Sequence, residues 1–121
     1  MSGKKTLILG ASENPERYAY MAAHRLVKHG HSIINVGIKE GTVAGVPIDT
    51  QRTIYPDVHT VTVYISPDKQ DQWADYLLAL KPKRIIFNPG AENPDLEQLA
   101  QQNGIETLEA CTLVMLGAGL Y

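Results

Sequence analysis

The chain has 121 residues, a formal net charge of −2 and a hydrophobic content of 44%, enough for one domain with its own core. A charge so small and negative excludes a nucleic-acid or membrane-surface binder that works by bulk charge. The single cysteine, Cys111, excludes an internal disulfide, so a reducing, cytoplasmic setting is expected. No apolar stretch behind Met1-Ser2-Gly3-Lys4-Lys5 reads as a leader, and no run approaches membrane length. Residues 1–121 are expected to form a single domain, without repeats, linkers or low-complexity segments.

Two lysines lead into Thr6-Leu7-Ile8-Leu9, a short buried strand that stops at Gly10. The loop Ala11-Ser12-Glu13-Asn14 follows, and Pro15 opens a helix over residues 15–29, with Ser12 or Asn14 able to cap it. Its apolar positions are Tyr18, Met21, Ala22, Leu26 and Val27, with Lys28 and His29 in the last turn and Gly30 as the stop. Residues 31–36 read as a second strand. A loop-rich connection with Gly37, Lys39, Gly41, Gly45 and Pro47 comes next, with a short strand at 46–48.

The β-branched run at 60–65 is a third strand, and residues 67–80 a helix with Trp73, Tyr76, Leu77 and Leu80 on one face. Pro82 stops it before a fourth strand at 84–87. After the turn Asn88-Pro89-Gly90, Asn93-Pro94 starts a helix running to Asn103. A fifth strand at 105–108 and a helix at 110–116 complete the pattern. Strands alternating with helices predict an α/β fold, a Rossmann-like three-layer αβα sandwich around a parallel sheet of about five strands.

In such sheets ligands bind beyond the carboxyl ends of the strands, where the strand order reverses. That gathers the Gly10 loop, Gly37 to Lys39, Ser66-Pro67 and Asn88 to Gly90 around one crevice. A strand, a glycine turn and a helix N-terminus present open N–H groups to a phosphate. The full G-x-G-x-x-G fingerprint is absent, since Ser12 and Pro15 stand where its later glycines would be. Lys39, after the second strand, suits a phosphorylated ribose such as that of NADP or coenzyme A, with Glu40 beside it as an acidic alternative.

The chain resembles the small stand-alone CoA-binding domains related to the CoA-binding domain of succinyl-CoA synthetase α subunits. The resemblance rests on Gly10-Ala11-Ser12-Glu13-Asn14-Pro15 with Arg17 and Tyr18, on His29-Gly30, on Lys39 and Gly45-Val46-Pro47. It continues through Asn88-Pro89-Gly90-Ala91-Glu92-Asn93 to Gly104-Ile105-Glu106 and Cys111, nearly the whole chain. It implies that Gly10, Ala11 and Ser12 meet the phosphates, that Lys39 meets the 3′-phosphate, and that Arg17 and Tyr18 lie near the nucleotide. Asn14, Gly37, Asn88, Pro89 and Gly90 join them as candidate ligand residues. Where the family commonly has Asn-Pro before the basic residue, this chain has Gly37-Ile38.

The remaining reactive residues read as structure. Cys111 lacks a neighbouring cation in sequence and reads as a small buried residue. His24 and His29 stand five apart and do not share a helix face, so no metal is expected. Asn88 faces the crevice or closes an Asx turn before Pro89. With no acid–base pair or nucleophile triad, the expected function is CoA or acyl-CoA binding without a catalytic centre. An NADP-dependent oxidoreductase subunit and an interaction module with a vestigial crevice are the alternatives. The apolar tail at 113–116, with Leu120 and Tyr121, either covers the sheet or pairs with a second copy as a homodimer.

Overall fold

The computed structural model describes residues 3–121. Met1 and Ser2, on which the reading of the amino terminus partly rests, lie outside them. Seven strands form one sheet: β1 (Thr6–Leu9), β2 (Ile33–Val36), β3 (Thr42–Val43), β4 (Val46–Asp49), β5 (Thr60–Val63), β6 (Arg84–Phe87) and β7 (Glu106–Glu109). Their order is β3-β4-β2-β1-β5-β6-β7, and only β3, paired with β4, runs antiparallel. The six parallel strands therefore follow the order of a doubly wound nucleotide-binding sheet, with β1 central and the chain leaving it in opposite directions.

The expected count of about five becomes seven because the short strand read at 46–48 joins the sheet as β4, and because β3 escapes sequence pattern. β3 is two residues long and β4 contains Pro47. The turn between them is set by Ala44 at φ 53 and Gly45 at φ 81, the paired positive angles of a tight hairpin. Asn35, fully buried in β2, donates its amide to the carbonyls of Val43 and Val46, both at 3.1 Å, and so ties that hairpin to the sheet.

Four helices cover the two faces: α1 (Tyr18–Lys28), α2 (Ala74–Leu80), α3 (Pro94–Gln102) and α4 (Thr112–Gly117). The expected helix at 67–80 is broken at its start into two 3-10 turns, Pro67–Lys69 and Asp71–Trp73. The break falls at Gln70, whose buried side chain donates to the carbonyls of Ile65 and Ala91 and accepts from Asn93.

The two faces differ in chemistry. Under α2 and α3 the sheet presents Leu7, Leu9, Val36, Val61, Ile85 and Phe87, packed against Trp73, Tyr76, Leu77 and Leu96. Trp73 and Tyr76 are thus core, as expected, in an edge-to-face pair at 5.9 Å. Burial of such a cluster, at about 25 cal/mol per Å² of apolar surface, supplies the main stabilising term.

The opposite face is apolar beneath α1, where Ile8, Ile33 and Ile48 meet Ala19, Ala23 and Leu26. Over β5 and β6 it carries a polar belt of Thr60, Thr62, Arg84 and Asn88. α4 and the tail cover that belt. Met115 and Leu116 are buried, and the Tyr121 hydroxyl meets Thr6 Oγ1 at 2.6 Å while the Arg84 guanidinium lies 4.6 Å from its ring centroid. Among the described residues no helix is long and apolar enough to cross a membrane.

Candidate functional site

The crevice opens where the chain leaves β1 on one side and β5 on the other. Gly10 sits at φ 94, and a Cβ there would meet Ile65 Cγ2 at 3.0 Å and the Tyr64 carbonyl carbon at 3.3 Å. Both requirements select glycine. The N–H groups of Gly10 and Ala11 donate to the Val36 carbonyl at 2.9 and 3.0 Å. These two amides hold the turn against β2, so the ligand-facing donors must come later in the loop.

The helix starts later than expected. The Asn14 N–H donates to Ser12 Oγ, that of Glu16 to Asn14 Oδ1 and that of Arg17 to the Asn14 carbonyl, each at 3.0 Å. These bonds make residues 14–17 a turn, and Arg17, without a side-chain cap, is the N-cap of α1. Ser12 and Asn14 therefore close local turns instead of capping the helix. Among the described residues the amides of Ser12, Glu13, Tyr18 and Ala19 have no protein partner. Two of these donors, Tyr18 and Ala19, open the first turn of an eleven-residue helix, and two, Ser12 and Glu13, lie in the loop before it, a combination suited to an anion.

The buried face of α1 is also rotated from the expected one. Ala19, Ala22, Ala23 and Leu26 pack on the sheet, while Tyr18 is 66% and Val27 46% exposed. Three alanines let the helix axis lie close to the sheet, which turns Tyr18 outward onto the crevice rim beside Arg17. Glu13 swings the other way: its carboxylate accepts from the Thr42 N–H at 2.8 Å and packs over Gly41. The loop after β2 is thereby fastened to the loop after β1. Gly37 lies so close to that loop that a Cβ would fall 2.8 Å from the Ala11 carbonyl oxygen. Beyond it Ile38, Lys39 and Glu40 are exposed, Ile38 to 90%.

On the far side Tyr64 follows β5. Burial pushes its phenol up to about 12, against the pull of the Thr62 and Thr112 hydroxyls, and its own hydroxyl is buried without a hydrogen bond. Asn88 does neither thing expected of it. Its amide donates to Thr62 Oγ1 at 2.7 Å and the Val63 carbonyl at 2.9 Å, and its Oδ1 accepts from the Thr112 N–H at 2.9 Å. It is buried and internally satisfied, a staple joining β5, β6 and α4. Pro89 and Gly90 are exposed on the rim, the Gly90 N–H donating to Glu92 Oε1. Arg52 and the segment that holds it, after β4, carried no sequence signal.

Two concavities, of ≈ 230 and ≈ 200 Å³, lie at the amino ends of the strands. The second is lined by His29, His31, Leu116, Gly119 and Tyr121. These are away from the β1 turn, and neither gathers open backbone donors, so the shallow crevice at the opposite end is the stronger ligand candidate.

The histidines at the amino ends make stability depend on pH. His31 Nδ1 accepts from the Lys4 N–H at 2.8 Å, so the ring is neutral there. Burial, then the charges of Lys4, His29 and Arg84, hold its pKa below 6.5. His59 is lowered by burial and by Arg84, Lys4 and Lys83. The unfolded chain therefore binds more protons at both sites. Their contribution to stability is whole above pH 6.5 and is lost as the pH falls below it, levelling off under the folded-state values. Urea midpoints are expected to drop from pH 8 to pH 5, and His31→Gln, which keeps an acceptor for Lys4, should flatten the slope. An equal slope in that variant would remove His31 from the account.

Comparison with known proteins agrees with the geometry. A family model described as CoA binding domain matches residues 4–117. A crystal structure of a protein described only as uncharacterized is 53% identical, with a TM-score of 0.97 and 100% of both chains covered. A cell-free-synthesised protein from Thermus thermophilus is 21% identical with a TM-score of 0.87, over 98% of this chain and 91% of that one. A hypothetical protein from Pyrococcus horikoshii is 22% identical with a TM-score of 0.86, over 98% and 84%. The last two share the fold. Among curated proteins none matches. With nearly all of its length matched by that one model, the chain belongs to the CoA-binding domain family.

Proposed function

We propose that the protein binds coenzyme A or an acyl-CoA in the crevice above β1, as a cytoplasmic nucleotide-binding module without a catalytic centre of its own. The observation that carries this is the set of open amides at Ser12, Glu13, Tyr18 and Ala19, at the switch point of a chain in the CoA-binding family. The pyrophosphate would sit on those donors, beside Gly10 and Ala11, which shape the turn. Arg17 and Tyr18 flank it. Lys39, exposed after β2, would meet the 3′-phosphate, and Gly37 would let its loop approach. Pro89 and Gly90 would border the pantetheine end.

Thermal unfolding with millimolar CoA, acetyl-CoA, NADP and NAD tests the reading. A ligand at about 100 times its dissociation constant adds about 2.7 kcal/mol, a shift on the order of ten degrees for a domain of this size. Shifts with the CoA ligands alone support it, and a shift with NADP alone replaces it by the oxidoreductase reading. Dephospho-CoA, lacking the 3′-phosphate, should bind about tenfold more weakly than CoA, the loss of one charge-assisted contact. Lys39→Ala should abolish most of that difference, and equal affinities in the wild type would remove Lys39 from the site.

A further inference from the structure

Resting on the reading that the crevice takes a CoA-type nucleotide, we propose that its purine base stacks on Arg52, a residue held flat against Trp73 at the rim. Arg52 belongs to the helix-free connection from β4 to β5. It is a non-glycine residue at φ 54, in the left-handed region that side chains avoid. Its neighbours hold it there. The Asp49 carboxylate accepts from the N–H groups of Gln51 and Thr53, at 2.7 and 3.2 Å, and from the Tyr55 hydroxyl at 2.7 Å. The Tyr76 hydroxyl donates to the Thr53 carbonyl at 2.7 Å.

The side chain is fixed as firmly. Arg52 Nη1 donates to the Gln72 carbonyl, and its Cζ lies 3.8 Å from the centroid of the Trp73 ring. One face of the guanidinium is thus covered by indole. The residue is nevertheless exposed, so the other face is open to solvent. A planar cation with one face backed and one face free is a stacking surface for a nucleobase. A surface cation–π pair alone does not require a strained backbone locked by four hydrogen bonds. Strain of this kind collects at ligand clamps.

The position fits the base. The Asp49 carbonyl accepts from the Gly37 N–H at 3.1 Å, and the Val36 carbonyl accepts from Gly10 and Ala11, so the three loops leave the sheet at one level. Gln72 lies two residues beyond Gln70, which ties the loops after β5 and β6. Arg52 therefore joins the loop after β4 to the one after β5. The loops after β1, β2 and β4 each present one exposed cation: Arg17, Lys39 and Arg52, with the acids Glu16 and Glu40 among them. With the phosphorylated ribose at Lys39, the base falls beside the neighbouring loop, that of Arg52.

The test is titration of the wild type, Arg52→Gly and Arg52→Lys with CoA and with its fluorescent 1,N6-etheno analogue. Glycine removes the side chain and relaxes the positive φ, so this variant should fold. Lysine keeps the charge without the plane. Both variants are expected to bind CoA about tenfold more weakly, as one lost base stack predicts. At saturation the etheno base should be shielded from acrylamide quenching on the wild type and open to it on Arg52→Lys. Unchanged affinity in Arg52→Gly overturns the proposal. So does wild-type behaviour in Arg52→Lys, which would mean a charge contact, or weaker binding in Arg52→Lys with the base still shielded, which would mean a loosened loop. If the wild type takes up no CoA, the binding reading itself fails and the stacking site falls with it.

Discussion

Replacing Asn88 by leucine should lower the unfolding midpoint by roughly ten degrees or more while leaving ligand affinity of the folded protein nearly unchanged. The side chain stands at the mouth of the crevice in sequence, yet all three of its hydrogen bonds run inward, to Thr62, Val63 and Thr112. Leucine leaves the Val63 carbonyl and the Thr112 N–H buried without partners, at about 1–3 kcal/mol each. The Thr62 hydroxyl keeps its 2.8 Å contact with Thr112, so that loss is partial. Chemical denaturation and CoA titration of the same preparation separate the two effects. A variant of wild-type stability that no longer binds would show Asn88 to be a ligand residue after all.

Gly37→Ala should damage binding more than stability. The added methyl would lie 2.8 Å from the Ala11 carbonyl oxygen and 3.3 Å from Ile48 Cγ2. Backbone must give way, because the Gly37 N–H is held by the Asp49 carbonyl and the β1 turn is held by the Val36 carbonyl. Forced contacts of this sort cost about 1–3 kcal/mol. The easiest relief is displacement of the loop that carries the Ser12 and Glu13 amides, so CoA affinity should fall tenfold or more, about the effect of a misplaced donor set. A variant that is destabilised but binds normally would place the phosphates away from this loop.

The parts of the fold legible in sequence are those in which one local pattern decides. β1 and β6 each follow a lysine and end where an aliphatic run meets Gly10 or Asn88, and the helix at 94–102 is announced by Asn93-Pro94. Asn93 accepts from the Leu96 N–H, the cap its type suggests. The parallel sheet is legible too, since strands alternating with helices imply it. What could not be read depends on partners distant in the chain. The helix before Trp73 is broken because Gln70 bonds to Ala91. Ser12 and Asn14 have the right side chains for caps, but each finds a nearer amide. Where a polar side chain points, as at Asn88 and Arg52, is a tertiary fact.

The central place of β1 has a kinetic consequence. Thr6 pairs with Ile33 on one side and with Thr60 on the other, so the strand is finished only when a distant part of the chain arrives. Parallel pairing of this kind makes the closure of the sheet a late and slow event compared with folding by local contacts. The Gly10 turn hangs from β1 and is braced by Tyr64 and Ile65 beyond β5, so it takes shape no earlier than that closure. A molecule gripping this turn finds nothing to hold in a half-folded chain. Its effect belongs on the unfolding limb of the kinetics: the native state lives longer, and the rate of reaching it stays as it was.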